Sequence, residues 1–134
     1  MLPSVARVYV VRHAEAAPGD PDELRPLTPA GREQARQLGA RLAAAGPTAV
    51  VTSPLLRARE TGSAIAAAAG LEAAVDDRLA PGAGPDDVRA AADGRGDVVV
   101  VVGHQPDCSL AVAALGGPGD ASFPPAGVHA VELP

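Results

Sequence analysis

Val8-Tyr9-Val10-Val11-Arg12-His13-Ala14-Glu15-Ala16 is an apolar run that ends abruptly in an arginine and a histidine side by side. It predicts a buried strand with its chemistry at the carboxyl tip. Open α/β sheets bind ligands beyond the carboxyl ends of their strands, so an Arg-His pair there is placed to meet a substrate rather than to pack. Taken alone, the pair is equally well a strand end dipping two polar residues into water. Three later stretches favour the first reading.

The order strand, polar tip, helix recurs along the chain. Ala49-Val50-Val51-Thr52 leads through Ser53-Pro54, read as a cap followed by proline, into a helix running from Leu55 through Ile65 to Gly70. Asp97-Val98-Val99-Val100-Val101-Val102 is continuous rather than alternating, hence covered on both faces, and ends in Gly103-His104-Gln105-Pro106 before a helix through Leu110, Val112 and Leu115. Between the first two strands, Thr28 caps a helix opened by Pro29. Ala35, Leu38, Leu42 and Ala45 follow at helical spacing, Gly46-Pro47 ends the run, and Arg32, Arg36 and Arg41 fall on the wet side. Gly70 to Val75 reads as a lesser strand, Asp76 to Gly84 as loop, Pro85-Asp86-Asp87-Val88 as a helix start and Val128 to Leu133 as a last strand. This predicts an α/β fold: a three-layer α/β/α sandwich on a mainly parallel central sheet, one domain over residues 1–134.

Composition narrows the function. With 134 residues, one Phe, one Tyr and no Trp, the core has to be built from alanine and valine. A net charge of −5 argues against a nucleic-acid binder, which needs clustered basic surface. Cys108 stands alone, which excludes an internal disulfide, and no long apolar segment or cleavage pattern opens the chain. The expectation is a cytoplasmic protein without a membrane span.

Three strand-to-helix junctions each deliver a residue suited to phosphate: Arg12 and His13, then Arg57, then His104. Right-handed crossovers put all three on one edge of the sheet. Two guanidiniums can grip the non-bridging oxygens of a phosphoryl group, a neutral imidazole can attack phosphorus, and a second, protonated imidazole can offset charge on the equatorial oxygens. Neighbouring guanidiniums should keep His13 neutral and nucleophilic.

Arg12-His13, Arg25-Pro26-Leu27-Thr28 with Gly31, Ser53-Pro54-Leu55-Leu56-Arg57-Ala58-Arg59-Glu60-Thr61 and Gly103-His104-Gln105-Pro106 stand in the order and spacing of the histidine phosphatase superfamily, the phosphoglycerate mutase-like fold, which the chain resembles. Its short length and Arg25-Pro26-Leu27-Thr28 segment make it most similar to the small SixA-type phosphohistidine phosphatases. The resemblance implies that His13 is the phosphorylated nucleophile, that Arg12, Arg57 and His104 form the phosphate pocket, and that no metal or cofactor is required. Gln105, Arg25 and Glu15 complete the expected substrate-binding set.

The sequence departs from the family pattern at two places. Ala14 follows His13 where most members have glycine, and the place of the glutamate general acid of larger members falls near Leu79-Ala80-Pro81, with no acid there. Glu15, Asp20, Asp22 and Glu23 are the replacement candidates, because their loop follows the nucleophile. The predicted partner is a phosphorylated substrate, either a phosphohistidine protein or a small phosphate compound. The alternatives are a broad phosphomonoester phosphatase and a phosphate-recognition module without turnover. Arg59 and His129 read as structural, Cys108 as a small buried hydrophobe, and Ser53 and Thr28 as caps.

Overall fold

Valine-rich strands alternating with alanine-rich helices give a layered molecule, here described by a computed structural model over residues 6–134. In chain order the elements are β1 (Ala6–Arg12), α1 (Pro29–Ala43), β2 (Ala49–Thr52), α2 (Leu56–Ala68), β3 (Ala73–Val75), α3 (Pro85–Ala92), β4 (Val98–Gly103), α4 (Asp107–Ala114) and β5 (Val128–Leu133). Short 3-10 turns occupy Asp22–Leu24 and Asp77–Leu79. The strands form one sheet in the order β3-β2-β4-β1-β5, parallel except for β5, which runs antiparallel to β1. This is the expected three-layer α/β/α arrangement.

Strand alternation divides the core. Val99 and Val101 of β4 join Val8 and Val10 of β1 against Val88, Ala91, Ala111 and Val112 of α3 and α4. Val100 and Val102 face the other way, with Val11 and Val50, onto Leu38, Leu42, Ala58 and Ile65 of α1 and α2. Both faces of β4 are therefore dry, as its unbroken valine run requires. On α4, Val112 and Leu115 are buried while Leu110 is 60% exposed.

Small residues let the layers approach closely. A Cβ on Gly39 of α1 would stand 3.0 Å from the Ala64 carbonyl oxygen and 3.1 Å from Ile65 Cα, so the two helices touch backbone to side-chain-free backbone. Thr28 caps α1 as read, its hydroxyl accepting the Gly31 N–H at 2.9 Å. At α2 the expectation is corrected: Leu55 is extended, the helix begins at Leu56 with Leu55 as its flanking residue, and Ser53 does not cap it. No helix among the described residues is long and apolar enough to cross a membrane.

Candidate active site

The register Arg12↔Gly103 and Thr52↔Val102 puts the carboxyl ends of β1, β4 and β2 side by side, so the segments that follow them meet at one edge. There the rings of His13 and His104 lie 5.3 Å apart, centroid to centroid, at 57°. The charges of Arg57, Arg12 and Arg25 all act on His13, and His104 senses His13, Arg57, Asp22 and Arg12. Residues from positions 12, 13, 57 and 104 thus share one electrostatic neighbourhood. Volume does not mark the place. A surface cavity of about 640 Å³ opens at the opposite, amino edge, lined by Asp86, Arg89, Asp93, Asp97 and Leu133 among others, and holds no histidine.

His13 has a defined tautomer. Its Nδ1 lies 2.7 Å from the carbonyl oxygen of Ala14, which can only accept, so Nδ1 carries the proton and Nε2 keeps its lone pair. The Ala14 N–H in turn donates to Thr61 Oγ1 at 3.0 Å, and that hydroxyl donates to the Arg57 carbonyl at 2.8 Å. Thr61, fully buried on α2, thereby fastens the peptide beside His13 to the helix that carries Arg57. On the other side, the His13 carbonyl accepts from Ala126, which takes a left-handed conformation (φ 61°) that a residue with a Cβ rarely adopts. His13 titrates below the ordinary imidazole range. Burial is the largest cause, and the guanidiniums act in the same direction with smaller weight.

His104 departs from the expectation. It is 4% exposed, and burial, the neighbouring His13 and Arg57 push its pKa down to about 4, so the ring is neutral near pH 7 rather than protonated. Its Nε2 sits 2.7 Å from the hydroxyl of Ser53. Ser53 Oγ also accepts the Leu55 N–H at 3.2 Å, and its hydroxyl can either donate to Nε2 or accept from it. The neutral ring then still offers one N–H donor. Ser53 is the site contact that sequence reasoning missed, because Ser-Pro before a helix has the signature of a cap.

The two arginines are held differently. Arg12 donates from Nη1 to the Phe123 carbonyl at 3.0 Å, and its buried Nε has no partner among the described residues, an orphan donor of the kind an anion satisfies. Arg57, on the first turn of α2 with its side chain 8% exposed, donates from Nη1 to the Asp22 carbonyl at 2.9 Å and pairs Nη2 with Asp22 Oδ2 at 3.2 Å. Asp22 Oδ1 also accepts from Arg25 at 3.0 Å. The two guanidiniums hold the Asp22 carboxyl below its usual range, so of the four acid candidates Asp22 is a carboxylate at neutral pH and no proton donor as it stands.

The remaining candidates separate. Arg25 is anchored by Nε to the Ala17 carbonyl at 2.8 Å and contributes its charge to the cluster. Glu15 is exposed and is tied in by its backbone, its N–H donating to Gln34 Oε1 and its carbonyl accepting from Thr28. Gln105, exposed, turns both ends of its amide onto Ser109 in the first turn of α4. Asp20 and Glu23 are exposed in the loop. Arg59 donates to the Pro54 carbonyl, and His129 bonds the Ser122 carbonyl and packs edge-on against Phe123. Cys108 is buried, its thiol pushed up to about 12 by desolvation, and so is inert as a thiolate. Among the described residues no group of three or more His, Cys, Asp or Glu is gathered to hold a metal ion.

Residues 8–81 match the sequence model of the histidine phosphatase superfamily (branch 1). The probable phosphoglycerate mutase GpmB of Salmonella paratyphi C (strain RKS4594) is 38% identical over 80 residues, covering 54% of this chain and 36% of that protein, so the match spans about a third of the curated relative. The structure of the protein histidine phosphatase SixA complexed with tungstate superposes with a TM-score of 0.81 at 27% identity, covering 92% of this chain and 86% of the other. A SixA from Agrobacterium tumefaciens gives a TM-score of 0.80 at 28% identity, covering 93% and 89%.

Proposed function

The chain belongs to the histidine phosphatase superfamily, and we propose that it is a phosphatase that works through a phosphohistidine on His13, with phosphohistidine in a protein as its substrate. The observation that carries this reading is the fixed tautomer of His13: Nδ1 committed to the Ala14 carbonyl, Nε2 unprotonated, and a second imidazole 5.3 Å away. A nucleophile for phosphorus needs that lone pair, and the lowered pKa of His13 keeps it available at neutral pH.

In the proposed reaction, His13 Nε2 attacks phosphorus, the N–P bond of the substrate breaks, and the departing imidazole takes a proton from water. Water then attacks the phosphorylated His13, releasing orthophosphate and restoring the neutral ring. Arg12 and Arg57 bind the non-bridging oxygens, and the Nδ1–H of His104 donates to an equatorial oxygen as charge builds there. A phosphoramidate suits a site with no acid at Leu79-Ala80-Pro81, since its leaving imidazole departs more easily than an alkoxide. An acid in that role is worth about 10²–10⁴-fold where the leaving group requires one. Simple alkyl phosphates are therefore expected to turn over slowly. The same absence is what a broad phosphomonoesterase would have to overcome.

Rates on a phosphohistidine peptide, an aryl phosphate and a sugar phosphate, measured side by side with wild type and His13→Ala, test the reading. The expected result is fastest turnover of the peptide, an acid-labile phosphoenzyme, and loss of both in the variant. Full activity of His13→Ala, or turnover of none of the three, refutes it; a preference for the sugar phosphate favours the monoesterase.

A further inference from the structure

Arg57's anion seat is taken, in this structure, by the chain's own carboxylate. Asp22 gives Arg57 two acceptors, its carbonyl oxygen at 2.9 Å and Oδ2 at 3.2 Å, and places Oδ1 on Arg25 at 3.0 Å. One carboxylate bridging two guanidiniums reproduces the contacts that two arginines make to the oxygens of a phosphoryl group.

The pair is asymmetric in burial. The side chain of Arg57 is 8% exposed, built into α2, whereas that of Asp22 is 59% exposed on a 3-10 turn of three residues in the loop between β1 and α1. Arg25 stays in place through its separate bond to the Ala17 carbonyl. Asp22 is thus the member that can leave while both cations remain where they are.

We propose that Asp22 is a specificity-determining residue, an internal anion that sits on Arg57 between turnovers and must be exchanged for the phosphoryl group of the substrate. This rests on the phosphate-pocket reading of Arg57. A singly charged ligand, such as a phosphodiester, gains little by displacing a carboxylate of equal charge. A doubly charged phosphoryl group gains by the exchange, so the site selects monoesters and phosphoramidates. When orthophosphate is the product, the returning carboxylate competes for Arg57 and hastens release.

Calorimetric titration of orthophosphate into wild type, Asp22→Asn, Arg57→Gln and Glu132→Gln tests the proposal. Glu132 is exposed and pairs with Arg7 at the amino end of β1, so its variant loses the same charge at the far edge of the sheet. Asp22→Asn is expected to bind orthophosphate about two- to fivefold more tightly, the worth of an exposed ion pair, with Glu132→Gln unchanged. Unchanged or weaker binding by Asp22→Asn overturns the proposal, since a carboxylate that merely props Arg57 gives that sign. Equal tightening in both acidic variants also overturns it, because net charge then suffices. If Arg57→Gln binds orthophosphate as wild type does, the phosphate-pocket reading itself fails.

Discussion

Gly31→Ala sets two effects of opposite sign against each other. Gly31 is the third residue of α1, and alanine outranks glycine inside a helix by about 1 kcal/mol, which predicts stabilisation. A Cβ at this position, however, would stand 2.0 Å from the Glu15 carbonyl oxygen, 3.0 Å from its carbon and 3.1 Å from its nitrogen. Ordinary contact begins near 3.4 Å, so the oxygen would have to retreat by about 1.4 Å, and it is backbone, which cannot rotate aside. Overpacking of this kind costs about 1–3 kcal/mol. Moving Glu15 or the start of α1 also breaks the bonds from Thr28 N–H to the Glu15 carbonyl, 3.0 Å, and from Glu15 N–H to Gln34, 2.9 Å. Each of these is worth about 1 kcal/mol, so the net expectation is a loss of about 2–4 kcal/mol. Urea unfolding followed by far-ultraviolet circular dichroism measures it, since the chain has no Trp and a single Tyr. Turnover should fall too, because Glu15 follows the residue whose carbonyl orders His13. Stability equal to or above wild type would refute the reasoning and leave helix propensity as the stronger effect.

Ser53→Ala removes the hydroxyl that tethers His104 Nε2 and is expected to lower kcat/KM about tenfold, one hydrogen bond's worth; an unchanged kcat/KM would show that the tether does not position the ring. His104 also makes stability depend on acid. Its pKa is about 4 in the folded chain against an ordinary imidazole value of 6.5, so the unfolded chain binds the proton first. Stability is then fully present above pH 6.5 and declines by about 3 kcal/mol as pH falls to about 4. His104→Gln should lack this part of the slope in urea titrations at pH 7 and pH 4.5, and parallel losses in the two proteins would contradict it.

The fold was readable because its signals are local. The unbroken valines of β4, the Thr28-Pro29 opening of α1 and the Gly46-Pro47 stop each act over a few residues; the first two stand where the sequence has them, while α1 already ends at Ala43, with a turn leading to Gly46. What escaped depends on burial and on contacts across the chain. The neutral state of His104 follows from its desolvation beside His13, which no spacing reveals. Ser53 reads as a cap because Ser-Pro usually is one; with the helix starting only at Leu56, its hydroxyl instead meets a histidine 51 positions later. Asp22 reads as an acid because its loop follows His13, yet it lies on a loop without periodicity and meets Arg57 across 35 positions. Ala14 in place of glycine is accommodated without exposure, buried against Thr61.

The stretch Arg57 to Thr61 shows why the motif has its particular spacing. Residues three and four apart lie on one helix face, so Arg57, Glu60 and Thr61 look the same way while Arg59 turns aside to the Pro54 carbonyl. Glu60 accepts the Leu27 N–H at 2.9 Å and Thr61 accepts the Ala14 N–H at 3.0 Å, so one turn of α2 grips both the loop that enters α1 and the peptide after His13. Each grip is a side chain bonded to backbone, not to another side chain. Thr61 is short and costs little to hold in place, whereas Glu60 gives up more rotamer freedom for its bond. It follows that the geometry at His13 depends on the depth at which α2 sits against β2. Gly62 sets that depth, since a Cβ there would meet the Thr52 methyl at 2.2 Å and lever the whole turn, with Arg57 and Thr61, away from His13.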